Sequence, residues 1–555
     1  MRVVHSDFCA VAPSPQLRAR MRATLGAVQG GADVPLGLAR DPRPLGFNDG
    51  VIRPPGSFPP GTSLTDVRRA AAQRAPLRGD LRVVVVLADF TDKRFAVDTA
   101  RFDELFFSTG SIATGSVTEY YKDVTGGLIT ISGQVVGPFT MPQTLAWYAN
   151  GNYGIGKPTG DPRANILAQD AAKAANASVD FSLYDNDGNG YVDAFIVVHA
   201  GEGGEETGDS GDIWSHKWVL PEEYDADGTK IYAYLTIPEN AKLGVAAHEL
   251  GHLLFGFPDL YDTDYTSEGI GDWCLMAGGS WNGGGDTPAH PSAWCKAQQE
   301  WVGVTNVTHE GPLSLPDVKT SRTVHRLWTD GAEGQEYFLL ENRQQTGFDA
   351  ALPGAGLLVW HVDESQQSNE DENHYLVALL QADGSRDLEN DMNRGDGGDP
   401  YPGWSDNHAL TATSSPASTA YSGQDSMVAV TAISDSGDLM TAQVSVHASP
   451  GQPSGDLEAR VAALESRVDA LQQAVTSAAQ ALGSLGQGLR GEPAGNGWRR
   501  PQVGRAEGGR ARNGGHEGGH GDWPADALNA GLAAAAKAAR DLVGEVQQWS
   551  PRRRT

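Results

Sequence analysis

The chain has 555 residues, with 42 Lys+Arg against 70 Asp+Glu and a formal net charge of −28. At roughly 100–200 residues per domain this makes two or three folded units. With 39% hydrophobic and 8% aromatic residues, uniform disorder is excluded. Such acidity argues against nucleic acid as a partner and favours a soluble protein that binds cations. Three cysteines, Cys9, Cys274 and Cys295, exclude a disulfide scaffold and leave room for one bridge, Cys274–Cys295. No apolar run of about 18 residues predicts a membrane span. The opening MRVVHSDFCAVAPSPQLRARMR lacks the apolar core of a signal peptide, which leaves the cellular address open.

Residues 1–80 combine a short helical piece at 15–28 with a Pro/Gly/Arg-rich stretch, the composition of a pro-segment-like arm. From residue 81 the texture changes. LRVVVVLADF (81–90) and AFIVVH (194–199) are continuous β-branched or apolar runs, the mark of buried strands. LITISGQVV (128–136) reads as a further strand, while 116–123, the Ala-rich 166–175 and 243–255 read as helices. Alternating strands and helices over 81–302 predict an α+β catalytic unit with a mixed sheet. Beyond Gly303 the helical signals stop. Short strands at 323–328, 336–342, 356–362, 375–381, 427–433 and 440–447 predict a β-rich, sandwich-like module over 303–448. A linker and coiled coil follow at 449–489. Leu457, Val461, Leu464, Val468, Leu471, Val475, Ala478, Leu482 and Leu485 form a heptad seam that offers a route to a homo-oligomer. Residues 490–555 read as a Gly/Arg-rich disordered tail closed by an Ala-rich helix.

The chemistry sits at VAAHELGH, 245–252. His248 and His252 are one helical turn apart, so both imidazoles leave one face and can share an ion. Glu249 is placed beside that ion, where it can take a proton from a metal-bound water. Neutral imidazoles with an open position point to catalytic zinc. The surrounding helix is apolar, and such a surface would not hold two histidines and a glutamate without a partner for them. A third ligand is required: Gly256 lets the chain turn, Pro258 prevents the helix from continuing, and Asp259 is the nearest carboxylate, with Asp262 and Glu268 as competitors.

HELGHLLFGFPDLYD (248–262) followed by WCLMAGGSW (273–281) resembles the immune inhibitor A family of bacterial zinc metallopeptidases, which are metzincin-like zincins. Further blocks agree in order: VVVLADF (84–90), SVTEYYKDVTGGL (116–128), YVDAFIVVHAGEG (191–203), IWSHKW (213–218), EYFLLENRQ (336–344) and LPGAGLLVWHVDE (352–364). The resemblance implies zinc on His248, His252 and Asp259, Glu249 as general base, Met276 as the Met-turn residue, and a secreted enzyme acting on protein or peptide substrate. Gly256 and Asp259 each fall one residue later than the usual metzincin spacing, so a bulge or a longer helix must absorb the extra residue.

Asp185, Asp187, Asn189, Gly190 and Asp193 form a D-x-D-x-N-G-x-x-D run, with the Tyr191 carbonyl as a further oxygen. It opens like an EF-hand loop, but Ile196 stands where the bidentate Glu belongs, so the expectation is structural calcium. Asp383, Asn393, Asp396 and Asp399 carry a weaker cation signal. GDSGD (208–212) reads as a polar loop, and His199 and His216 divide evenly between cleft and core roles. Cys9 could ligate the zinc and hold the enzyme latent, but an inert thiol is the preferred reading. The expected function is a zinc-dependent endopeptidase. The alternatives are a catalytically silent zincin-fold adhesion protein and a zinc hydrolase of a non-peptide amide.

Overall fold

The apolar run near residue 81 becomes an inner strand of a six-stranded sheet in a computed structural model that describes residues 8–27, 76–157 and 159–446. The strands are β1 (Cys9–Ala10), β2 (Gly79–Asp89), β3 (Ile129–Thr140), β4 (Phe195–His199), β5 (His216–Ala226) and β6 (Thr229–Pro238), in the order β1-β5-β6-β4-β2-β3. Parallel pairing joins β3, β2, β4 and β6, whereas β5 lies antiparallel to β6 and β1 antiparallel to β5. Strands paired in parallel with helices against them are buried on both faces, which is why β2 and β4 read as unbroken apolar runs. The fold is thus mixed α/β.

Helices cover the sheet. Ser116 caps the Val117–Val124 helix, its side chain accepting from the Glu119 amide while the Glu119 side chain reaches back to Ser116 N–H. The β5–β6 hairpin lies between sequence blocks that do not reveal it. Asp227 and Gly228 form its two-residue turn, with φ of 52° and 83°. Positive φ at both positions gives a turn that matches the twist of the strands.

The Leu243–Phe255 helix follows β6, and all its residues are buried. Its all-round apolar surface fits an interior position, enclosed on every side. A Cβ at Gly244 would lie 1.8 Å from the Ser280 carbonyl, so the helix rests directly on the 278–285 segment.

After residue 302 the chain forms β7 (Gly303–Asn306), β8 (Gly311–Pro316), β9 (Thr323–Trp328), β10 (Glu336–Arg343), β11 (Gly356–Asp363), β12 (Val377–Leu379), β13 (Val428–Thr431) and β14 (Leu439–Val446). They make a five-stranded sheet, β12-β11-β10-β9-β7, and a three-stranded one, β13-β14-β8. Pairing is antiparallel except for β7 with β9, which run parallel. Alternation along β11 sends Leu357 and Val359 into a core shared with the smaller sheet, and Leu358, Trp360 and Val362 into the core of the first sheet. The two parts therefore pack as one body. Cys274 and Cys295 are buried thiols with no disulfide between them. Among the described residues no helix is long and apolar enough to cross a membrane. The coiled coil at 457–485, the tail and the terminal helix lie outside the described residues.

Candidate metal centre

One turn of the Leu243–Phe255 helix presents His248 and His252 side by side, with ring centroids 4.6 Å apart. Each ring is fixed from behind. His248 Nδ1 donates to the Leu275 carbonyl at 2.9 Å and His252 Nδ1 to the Phe257 carbonyl at 2.5 Å. A carbonyl only accepts, so each Nδ1 carries the proton and each Nε2 of the neutral ring is a bare lone pair. Burial holds the His252 pKa below its ordinary value, against the opposing pull of Asp259.

The helix runs through Phe255 and ends on Gly256 in the left-handed conformation, φ 64°, with Gly256 N–H bonded to the His252 carbonyl and Phe257 N–H to the Gly251 carbonyl. Leu260 N–H then bonds the Met276 carbonyl at 2.7 Å, pinning the loop against the 274–277 turn. This path brings Asp259 Oδ1 to 3.2 Å from His248 Nε2 and 3.1 Å from His252 Nε2. Asp262 instead accepts from Ser267 N–H and Oγ, and Glu268 holds Arg18 and Arg22. Of the three carboxylates considered, Asp259 is the one brought against the imidazoles.

Two bare Nε2 atoms 3.0 Å apart and a carboxylate oxygen converge in a fully buried pocket. With both rings protonated at Nδ1 alone, three acceptor atoms face one another there, an arrangement that a cation between them relieves. The donor set, two imidazoles and a carboxylate, fits an ion that takes ligands at about 2.0–2.2 Å. Glu249 is buried beside it, with neither carboxyl oxygen in a well-formed hydrogen bond. Burial, then the charges of Asp259 and Glu205, push its pKa well up, while the adjacent Val11 amide works the other way.

Residues 89–306 match a family profile described as the immune inhibitor A peptidase M6 catalytic domain. The chain carries an immune inhibitor A-type metallopeptidase domain. Immune inhibitor A from Bacillus thuringiensis subsp. alesti is 37% identical over 224 residues, which cover 34% of this chain and 32% of that protein. The pre-pro-metalloprotease PrtV of Vibrio cholerae serotype O1 is 31% identical over 248 residues, 38% of this chain and 26% of that protein. The chain therefore matches a third or less of the length of these relatives. The family is one of metal-dependent hydrolases of peptide bonds, and a metal is implied for the peptidase domain.

The other residues singled out in the sequence take the following places. Asp185, Asp187 and Asp193 converge, their carboxylate oxygens within 4.8 Å of one another. The turn is shaped by Asp185 accepting from the Asn189 and Gly190 amides, Asn189 Oδ1 accepting from Tyr191 N–H, and Asp193 accepting from Asn186 N–H. Asp383, Asp396 and Asp399 converge likewise, with Asn393 bonded to Asp396. His199 and His216 are both core residues. His199 Nδ1 bonds the Ala200 carbonyl, and His216 bonds the Trp214 carbonyl and Tyr234 Oη. In the GDSGD loop Asp212 accepts from Thr207.

One feature near the centre escaped sequence reasoning. Glu205, buried and bonded to Ser215 N–H and Oγ, has its pKa raised to about 7 by burial. No local signal announces it. Cys9, for which the sequence reading preferred an inert thiol over a zinc ligand, has its sulfur with a ligand atom of His252 and one of Asp259, all within 4.8 Å of one another.

Proposed function

We propose that the protein is a zinc-dependent endopeptidase in which His248, His252 and Asp259 hold the ion and Glu249 is the general base. The observation that carries this reading is the convergence of His248 Nε2, His252 Nε2 and Asp259 Oδ1 in a buried pocket beside Glu249. Bound there, zinc would supply Lewis acidity to the scissile carbonyl and lower the pKa of the attacking water. Glu249 takes the proton from that water and passes it to the leaving amine. The carbonyls of Leu275 and Phe257 keep both imidazoles in the tautomer the ion requires.

The Asp185–Asp193 turn is proposed to bind structural calcium through Asp185, Asp187, Asn189, the Tyr191 carbonyl and Asp193. The heptad seam at 457–485 is proposed to assemble the chain into a homo-oligomer.

Casein cleavage by the purified chain, with and without a zinc chelator and beside Glu249→Ala, tests the enzyme reading. Chelator-sensitive cleavage that Glu249→Ala abolishes, with zinc still bound stoichiometrically, is the expected result. Cleavage retained in the variant would remove Glu249 from its role. Zinc bound with no cleavage after residues 1–80 are removed would favour the adhesion alternative.

A further inference from the structure

Glu205 spends its whole carboxylate on one residue. Oε2 accepts Ser215 N–H at 3.0 Å and Oε1 accepts Ser215 Oγ at 2.5 Å, and both residues are buried. The fit is close, since a Cβ at Gly203 would lie 2.4 Å from Glu205 Oε1. Gly204 N–H adds a bond to the Ile213 carbonyl at 3.0 Å, so the short Gly204–Thr207 helix is clamped to the entry of β5. Withdrawing a carboxylate from water is costly unless it is hydrogen-bonded, and the two bonds to Ser215 offset that cost.

The clamp presents two carbonyls to an extended chain. Ser215 O accepts Val11 N–H at 3.2 Å, and the carbonyl of Glu205 itself accepts Ser14 N–H at 2.8 Å. These two acceptors serve N–H groups three residues apart, and the Glu205 side chain fixes one carbonyl relative to the other. Cys9 and Ala10 pair antiparallel with β5 just before them, which shows how a polypeptide runs along this edge. Main-chain hydrogen bonds at a strand edge hold a peptide whatever its side chains. The Val11 amide is also the one beside Glu249. Glu249 hands its proton to the leaving amine, so a chain continuing past that amide is the part that follows the cleaved bond.

We propose that Glu205 is a positioning residue of the peptidase, setting the Ser215 and Glu205 carbonyls as a pair that grips a polypeptide running on in extended form to the fourth residue after the cleaved bond. It acts through Ser215 and stays clear of the reacting atoms. The substrate class it favours is extended polypeptide, in preference to peptides that stop soon after the cut. The proposal rests on the zinc peptidase reading above.

Two amidated peptides copied from one site cut in casein test it, one continuing well past the fourth residue after the cleaved bond and one stopping short of it. The full chain, Glu205→Ala and Glu205→Gln are compared by the ratio of kcat/KM on the long peptide to kcat/KM on the short one. Neither the folded fraction nor the fraction of accessible grooves moves that ratio, so a merely structural role for Glu205 leaves it unchanged. The parent should favour the long peptide roughly tenfold or more, as main-chain hydrogen bonds to it predict. Glu205→Ala should lose most of this preference, and Glu205→Gln, which keeps an oxygen for Ser215, should retain the larger part. Zinc content should be the same in all three. An unchanged ratio in Glu205→Ala, or no preference in the parent, would overturn the positioning role and leave the peptidase reading standing. Absence of chelator-sensitive cleavage of casein by the parent would overturn the peptidase reading itself, and this proposal with it.

Discussion

Gly251 rests on the sulfur of Met276. A Cβ at position 251 would lie 2.7 Å from Met276 Sδ, closer than such atoms pack. The preceding carbonyl, that of Leu275, is the one that fixes the His248 ring. Absence of a side chain at Gly251 thus lets the histidine-bearing helix settle on the turn that orients its own ligand.

Gly251→Ala sets two effects against each other. Alanine favours a helix interior by about 1 kcal/mol over glycine, but overpacking a tight contact costs about 1–3 kcal/mol. With Met276 fully buried, overpacking should win. Calorimetry should find a lower Tm, and zinc titration a weaker site. A variant more stable than the parent would refute the contact argument.

Arg343 sits in a buried charge cluster whose Glu341 pairs across to Lys296 of the peptidase core. It bonds both oxygens of Asp349, at 2.8 and 2.5 Å, and reaches Glu341, which also pairs with Lys296 at 2.7 Å. The Arg343 charge holds the Asp349 carboxyl far below its usual range against the effect of burial. Arg343→Met leaves that carboxylate buried without its main partner and should cost about 3–5 kcal/mol, read as a lower denaturant midpoint. The double variant Arg343→Met/Asp349→Leu should recover part of the loss. If it does not, packing rather than charge was responsible.

Acidification should weaken the fold between pH 6.5 and about 4. Burial depresses the pKa of both His199 and His216 from 6.5 to about 4. A depressed folded-state pKa means stability present above 6.5 and lost as pH falls through that window, because the unfolded chain takes up the protons first. His216→Gln keeps an acceptor for Tyr234 but removes one titrating ring. Its Tm should fall less steeply than the parent's across the same range. Identical slopes would show that His216 does not titrate there.

Calcium should raise the Tm of the full chain by binding the folded turn in preference to the unfolded one. Asp193→Asn removes one of the three converging carboxylates. Differential scanning with calcium against a calcium chelator should then show a smaller gain in that variant. Equal gains would place the calcium effect elsewhere.

The sequence by itself determined what depends on near neighbours. The Leu243–Phe255 helix, its paired histidines, the capping box at Ser116 and Glu119, and the stop at Gly256 all follow from periodicity and local hydrogen bonding, which act over a few residues. The Asp227-Gly228 pair carries a local turn signal too, but the strand before it, partly exposed near the turn, gives no clean alternation to frame it. Tertiary structure alone decided the rest. Asp259, Asp262 and Glu268 are chemically similar, and only the hydrogen bond from Leu260 to Met276, with Ser267 and Arg18 occupying the other two, selects which carboxylate meets the imidazoles. Cys9 lies more than two hundred residues from His252 and reaches it only because β5 has a free edge to pair with. Such meetings depend on loop paths and on which edges and faces remain open after the sheet is built, and no local pattern records them.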